Sequence, residues 1–293
     1  MEKQNKEPEQ GADYASWYPE GYAFNLSDFA LFLSVMKNKR AYECTLSIIL
    51  GEPDIKMREV KVEQVVLNRY GKRAIRLDAW GRTEDERQVN MEMQNSAESD
   101  DIPKRSRYYQ GMLDTPILKS GKETKYRELP STIIIFITQE DLFGKDLAMY
   151  TFTEQCEEIA GLHLEDANMS SKNGSKELVG MLQYMKHTTL DNPEIEVKDE
   201  RLIELDRIVR EVKASEEWEA VKMNILEVGI ERGKEIGLLE QVCKKMQKGL
   251  TVPEIADMLE EPEETIRRIC KIAEKYAPEY NADAILKEFL KEV

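Results

Sequence analysis

Three acidic residues stand where carboxylates can do chemistry: Glu43 in a helical run, Asp78 late in IRLDAW, and Glu92 in VNMEMQ. Alternate residues of a strand share a face. Arg76 and Asp78 therefore project away from Ile75, Leu77 and Ala79, and Asn90, Glu92 and Gln94 away from Val89, Met91 and Met93. If the two strands pair through the GRTEDER loop, Asp78 and Glu92 meet on one surface, with Gln94 beside Glu92. Two converging carboxylates repel unless a cation lies between them. Mg²⁺ is the common solution, held by one or two carboxylates, substrate phosphate oxygens and water. A water activated by such a cation, in line with a phosphodiester, is the nucleophile the arrangement would generate. A lysine often stands third in such a site; here it is Gln94, which hydrogen-bonds but brings no positive charge. Spacing alone is weak, because an Asp and a Glu on neighbouring strands are more often plain solvent-facing residues. On this reading Glu92 is exposed and contributes little to folding.

The elements that must position these residues follow from periodicity. From about Leu26 to Leu50 the apolar spacing is helical, with a break at Lys37-Asn38-Lys39-Arg40 and a stop at Gly51-Glu52-Pro53. The next stretch alternates in places, has a turn signal at Tyr70-Gly71, and continues through GRTEDER into QVNMEMQ. It reads as a meander of three strands. A basic helix from about Lys104 to Lys119 follows. STIIIFIT is an unbroken apolar run that suits a central strand buried on both faces, and LAMYTFT suits another short strand. The fold class is thus α/β, a mixed sheet flanked by helices.

From about Lys176 the chain reads almost entirely as helix, interrupted at Asp191-Asn192-Pro193. Gly229, Gly233 and Gly237 recur along one helix face; close helix packing and a merely tolerated glycine row are both open. Near the end, Thr251 is a capping residue before Pro253 and an apolar face of Ile255, Met258 and Leu259. Glu260-Glu261 forms a turn, and a second helix carries Thr265, Arg267 and Arg268. This resembles a helix-turn-helix unit, although the EEPEE start of its second helix repels phosphates, and a packing hairpin fits as well. The expected divisions are a flexible lead-in over 1–24, an α/β core over 25–170, a helical extension over 171–248 and the hairpin over 249–293.

The 293 residues carry a formal net charge of −15, which argues against a basic nucleic-acid coat protein. Charge is uneven: Lys56 to Pro130 carries 16 Lys and Arg against 13 Asp and Glu. The strand region is therefore where a polyanion would sit. No apolar run is long enough to span a membrane, and the start lacks a signal-peptide core, so a cytoplasmic location is expected. Cys44, Cys156, Cys243 and Cys270 form no CxxC pair, which points to reduced, packed thiols. Lys104, Arg105 and Arg107 lie within one helical turn beside Tyr108 and Tyr109. Such a group could hold phosphates and pack on sugar or base, or could be an ordinary amphipathic surface.

At these residues the sequence resembles a known family. Glu43-Cys44 with LSIILG, then GKRAIRLDAW, VNMEMQ, PKRSRYYQGMLD, LKSG, and STIIIFIT before DLFG closely resemble the PD-(D/E)XK nuclease family of transposases, also called recombination-promoting nucleases. The resemblance spans roughly residues 25 to 240. It implies a restriction-endonuclease-like core and Mg²⁺-dependent DNA endonuclease activity. It carries the nuclease residues onto Asp78, Glu92 and Gln94, with Glu43 as the helix acid and Asp78 and Glu92 as metal ligands. Lys72, Lys104, Arg105, Arg107 and Tyr108 are the candidate DNA contacts, and the C-terminal helices make a homo-oligomer plausible. The rival reading is a catalytically inactive DNA- or protein-binding module, which arginines interposed between distant carboxylates would favour.

Overall fold

The computed structural model describes residues 22–67, 73–95, 101–117, 125–153, 159, 174–277, 280 and 282–289. The expected turn at Tyr70-Gly71, Lys72, Cys156 and most of the lead-in lie outside them. Within them the chain forms two compact units, residues 23–219 and the helices from Ala220 onward.

The first apolar run folds as two helices, α1 (Phe29–Met36) and α2 (Lys39–Leu50). The break falls at Asn38, whose side chain accepts hydrogen bonds from the backbone N–H groups of Arg40 and Ala41. Gly51 ends α2 in the left-handed conformation, where glycine has no steric penalty. Phe24, the last residue of the expected lead-in, is buried, and its ring packs edge-on against Trp218 at 5.1 Å.

Three antiparallel strands follow as the alternation predicts: β1 (Met57–Val66), β2 (Ile75–Thr83) and β3 (Gln88–Gln94). Gly81, Arg82 and Thr83 are strand, so the loop is only the four residues 84–87. At Gly81 the backbone of β1 comes close: an added Cβ would displace the flexible end of Met57 and stand 3.0 Å from Glu59 O. Helix α3 (Ile102–Asp114) then crosses one face and delivers β4 (Thr132–Thr138), which pairs with β3 in parallel. The sheet order is β1-β2-β3-β4. On the α2 side, the buried Tyr42 hydroxyl donates to Ala79 O at 3.2 Å and Val89 O at 3.0 Å, tying α2 to β2 and β3.

Two strand expectations need correction. STIIIFIT is an edge strand among the described residues, with Ile133 and Ile137 buried and its other residues half-buried. An apolar run cannot by itself tell an edge covered by a helix from a sheet centre. LAMYTFT is not a strand. Its loop is gathered by the Asp141 carboxylate, which accepts from the N–H groups of Phe143, Gly144, Lys145 and Asp146 and from the Tyr150 hydroxyl. Local capture of this kind competes with a sheet ladder.

The expected boundary after residue 170 is displaced. Helices α4 (Lys176–Lys186) and α5 (Glu200–Lys213) belong to the same unit as the sheet. Arg201 on α5 donates to Ser47 O of α2 at 3.0 Å. Helix α6 (Glu216–Met246) passes unbroken through the glycine row, and a Cβ at Gly237 would meet nothing within 4 Å.

In the C-terminal unit, α7 (Val252–Leu259) opens with a Thr251–Glu254 capping box. Glu260 makes the turn in the left-handed conformation, and α8 (Glu263–Ala273) follows. With α9 (Ala282–Phe289) and the end of α6 they bury Leu239, Val242, Ile255, Ile266, Ile269 and Ile285 together. Cys243 and Cys270 are free and buried in that core, as Cys44 is in the other unit. No described helix is long and apolar enough to cross a membrane.

Candidate active site

Strands β2 and β3 pair regularly from Arg82↔Gln88 to Ala79↔Met91 and then part. The next residues on each strand are Asp78 and Glu92, and there the side chains replace the ladder. Asp78 N–H donates to Glu92 Oε1 at 3.0 Å, and Met93 N–H donates to Asp78 Oδ2 at 3.0 Å. The two carboxylates are thus fixed at the fork of the strands. On the other edge of β2 the same point is irregular. Glu63 lies between the pairs Val62↔Ala79 and Gln64↔Leu77, so it stands opposite Asp78, and its φ is +50°. A non-glycine residue in that region costs on the order of 1–3 kcal/mol and marks a locally enforced conformation.

The surface that carries Asp78 and Glu92 does not meet solvent. Glu92 and Asn90 are fully buried, and Asp78 is 6% exposed. The physical reason is the parallel crossover: α3 must lie across this face to bring β4 beside β3. Tyr109, Met112 and Leu113 share one apolar cluster with Trp80 and with Ile75 and Leu77, which alternation places on the face opposite Asp78, so strict alternation does not hold along β2. The reading of Glu92 as an exposed carboxylate is therefore corrected.

Burial sets the electrostatics. The Asp78 carboxyl is pushed up to about 8, first by burial and then by the charge of Glu92; the Met93 N–H, Arg105 and Arg76 oppose the rise. Glu92 is also raised by burial, against the stabilising hydrogen bonds of Asn90, Arg105 and the Asp78 N–H. Two carboxylates that resist joint ionisation are a site in need of positive charge.

Arg105 supplies part of it. Its guanidinium donates to Glu92 Oε2 at 2.6 Å, to Gln94 Oε1 at 2.8 Å and to the Tyr109 hydroxyl at 2.9 Å. It also lies 5.0 Å from the Tyr109 ring centre and 5.4 Å from that of Phe136. Of the candidate DNA contacts, Arg105 is thus turned inward onto the carboxylates. Lys104, Arg107 and Tyr108 are on the exposed side of α3. Lys104 pairs with Asp101, and the Tyr108 hydroxyl donates to Arg73 O at 2.6 Å.

Glu43 is placed elsewhere. It is buried on α2, accepts from Met57 N–H at 3.0 Å, and has Arg40 at 3.5 Å and Lys56 at 3.8 Å. No hydrogen bond or ion pair among the described residues joins it to Asp78 or Glu92. The structure therefore brings together Asp78, Glu92, Gln94 and Arg105, and leaves Glu43 at the start of β1.

Sequence reasoning missed Asn90, whose amide donates to Glu92 Oε1 at 2.7 Å, and the inward Arg105–Tyr109 pair. The second was signalled by spacing, since residues four apart share a helix face. The residues present fit Mg²⁺, which takes oxygen ligands and commonly needs only one or two carboxylates. No cluster of three or more His, Cys, Asp or Glu exists among the described residues, so water and phosphate would complete the shell.

Residues 27–223 match the family model described as PD-(D/E)XK nuclease family transposase. No curated protein and no solved structure matches the chain.

Proposed function

The chain belongs to the PD-(D/E)XK nuclease family transposases, and from that membership we propose that it is a Mg²⁺-dependent DNA endonuclease acting in recombination or transposition. One observation carries the reading: at the strand fork Asp78 N–H donates to the Glu92 carboxylate and Met93 N–H to the Asp78 carboxylate, in a buried setting that opposes their joint ionisation. A structural role would be met as well by neutral side chains of the same shape. Charged groups in that place make sense if a cation is to be held.

In this proposal Asp78 and Glu92 bind the metal, which supplies charge to the scissile phosphate and lowers the pKa of attacking water. Gln94, whose Oε1 accepts from Arg105, orients that water by hydrogen bonding. Lys104, Arg107 and Tyr108 line the exposed side of α3 and contact the DNA backbone, with Lys72 as a further contact. Glu43 acts as a supporting carboxylate that fixes the start of β1. The C-terminal helices are the surface through which copies would assemble. The location proposed is the cytoplasm, where the DNA substrate is.

The rival reading, an inactive binding module, is favoured by Arg105 on Glu92. Incubation of the purified protein with supercoiled plasmid separates the two. Conversion to open-circular or linear DNA with Mg²⁺, absent with chelator, supports the nuclease; binding without cleavage at any divalent metal concentration refutes it.

A further inference from the structure

The carboxylate of Glu92 already has a cation, and the chain supplies it. Glu92 Oε1 is engaged twice, by Asp78 N–H at 3.0 Å and the Asn90 amide at 2.7 Å. Oε2 is therefore the oxygen a metal ion would reach, and Oε2 is where Arg105 sits at 2.6 Å. Both side chains are sequestered, at 9% exposure for Arg105 and 1% for Glu92. In so dry a place two positive charges on one oxygen repel strongly.

We propose that Arg105 is a resident counter-cation: it holds Glu92 and Gln94 in position while no metal is bound, and metal binding requires its pair with Glu92 to open. This inference rests on the reading of Asp78 and Glu92 as metal ligands. The planar fork matters, because one guanidinium serves Gln94, Glu92 and Tyr109 at once, which an ammonium on a flexible stem cannot do with the same geometry. The aromatic rings of Tyr109 and Phe136 keep the cation stable beside the site. Arg105 is thus a positioning residue whose charge opposes the metal. It raises the metal concentration at which the site fills, and keeps the metal-free site folded.

A merely structural arginine and a resident competitor predict opposite outcomes. If Arg105 only supports the site, Arg105→Gln loosens Glu92 and weakens metal binding. If it competes, the same change tightens binding. Calorimetric titration of the full-length protein with Mg²⁺, without DNA, should show Arg105→Gln binding at least about tenfold tighter than wild type, while its metal-free melt falls. Arg105→Lys, which keeps the charge, should bind Mg²⁺ close to the wild-type affinity. Equal or weaker binding by Arg105→Gln overturns the proposal. Wild-type protein that binds no Mg²⁺ at all overturns the ligand reading first, and this inference with it. Should Arg105→Gln fail to fold, wild-type NMR decides. The Arg105 Nε–H resonance, shifted by the two rings and identified by its loss in Arg105→Lys, should move as Mg²⁺ is added. A resonance unmoved at saturating Mg²⁺ refutes the opening of the pair.

Discussion

Asp78→Asn should stabilise the metal-free protein, and the gain should grow with pH. The substitution keeps the shape, and the amide oxygen can still accept from Met93 N–H, as Asp78 Oδ2 does at 3.0 Å. What it removes is a charge that burial and Glu92 oppose. The carboxyl rises from the ordinary 3.8 to about 8 in the folded protein. A group raised on folding contributes stability in full below its unfolded pKa and loses it as pH climbs through its folded pKa. The wild type should therefore lose stability steadily between about pH 4 and pH 8, and the variant should not share that loss. Each unit of displacement is worth about 1.4 kcal/mol, which sets a ceiling on the order of 6 kcal/mol. Glu92 titrates with Asp78, so the removable part is about half of that, roughly 2–3 kcal/mol. At about 2–4 °C per kcal/mol for a unit of this size, the variant should melt roughly 5–10 °C above wild type at pH 8 in chelator. The assay is a set of thermal melts from pH 5 to 8.5, with and without Mg²⁺. Added Mg²⁺ should raise the wild-type melt and leave Asp78→Asn nearly unmoved. A variant melting at or below wild type at pH 8, or a difference constant across the pH range, refutes the reasoning.

Glu92→Gln should lower plasmid cleavage on the order of a thousandfold or more through loss of metal-held charge. Its metal-free melt should lie below that of Asp78→Asn, because it also strips Arg105 of its closest carboxylate. Glu43→Gln, whose partners are Met57 N–H, Arg40 and Lys56, should cleave within about threefold of wild type, well under 1 kcal/mol in barrier; a hundredfold loss measured in the same plasmid assay would return Glu43 to the active site. Tyr42→Phe removes a buried hydroxyl that serves Ala79 O and Val89 O, and chemical denaturation should show a loss of about 1–2 kcal/mol. If α7 and α8 read DNA, Arg267→Ala and Lys271→Ala should each reduce the salt slope of DNA binding by about 1; unchanged slopes in a fluorescence titration would make the pair a packing hairpin.

The elements were legible in the sequence because their signals are local. Asn38 and Gly51 bound α2 through groups a few residues away, and Thr251 with Glu254 opens α7 in the same manner. Alternation singled out Asp78 and Glu92 on neighbouring strands, and the family resemblance reached the same residues. What alternation could not say is which face is dry. That was decided when α3 crossed the sheet to make β4 parallel to β3, a long-range event with no signature in either strand. The same crossing turned Arg105 from a candidate phosphate contact into an internal partner of Glu92, and it left STIIIFIT at an edge where its apolar run suggested a centre. The parting of β2 and β3 at Asp78, with side chains standing in for the ladder, likewise depends on register between strands. Sequence specifies which groups are present and their local spacing; only tertiary packing fixes the dielectric around them, and with it their charge.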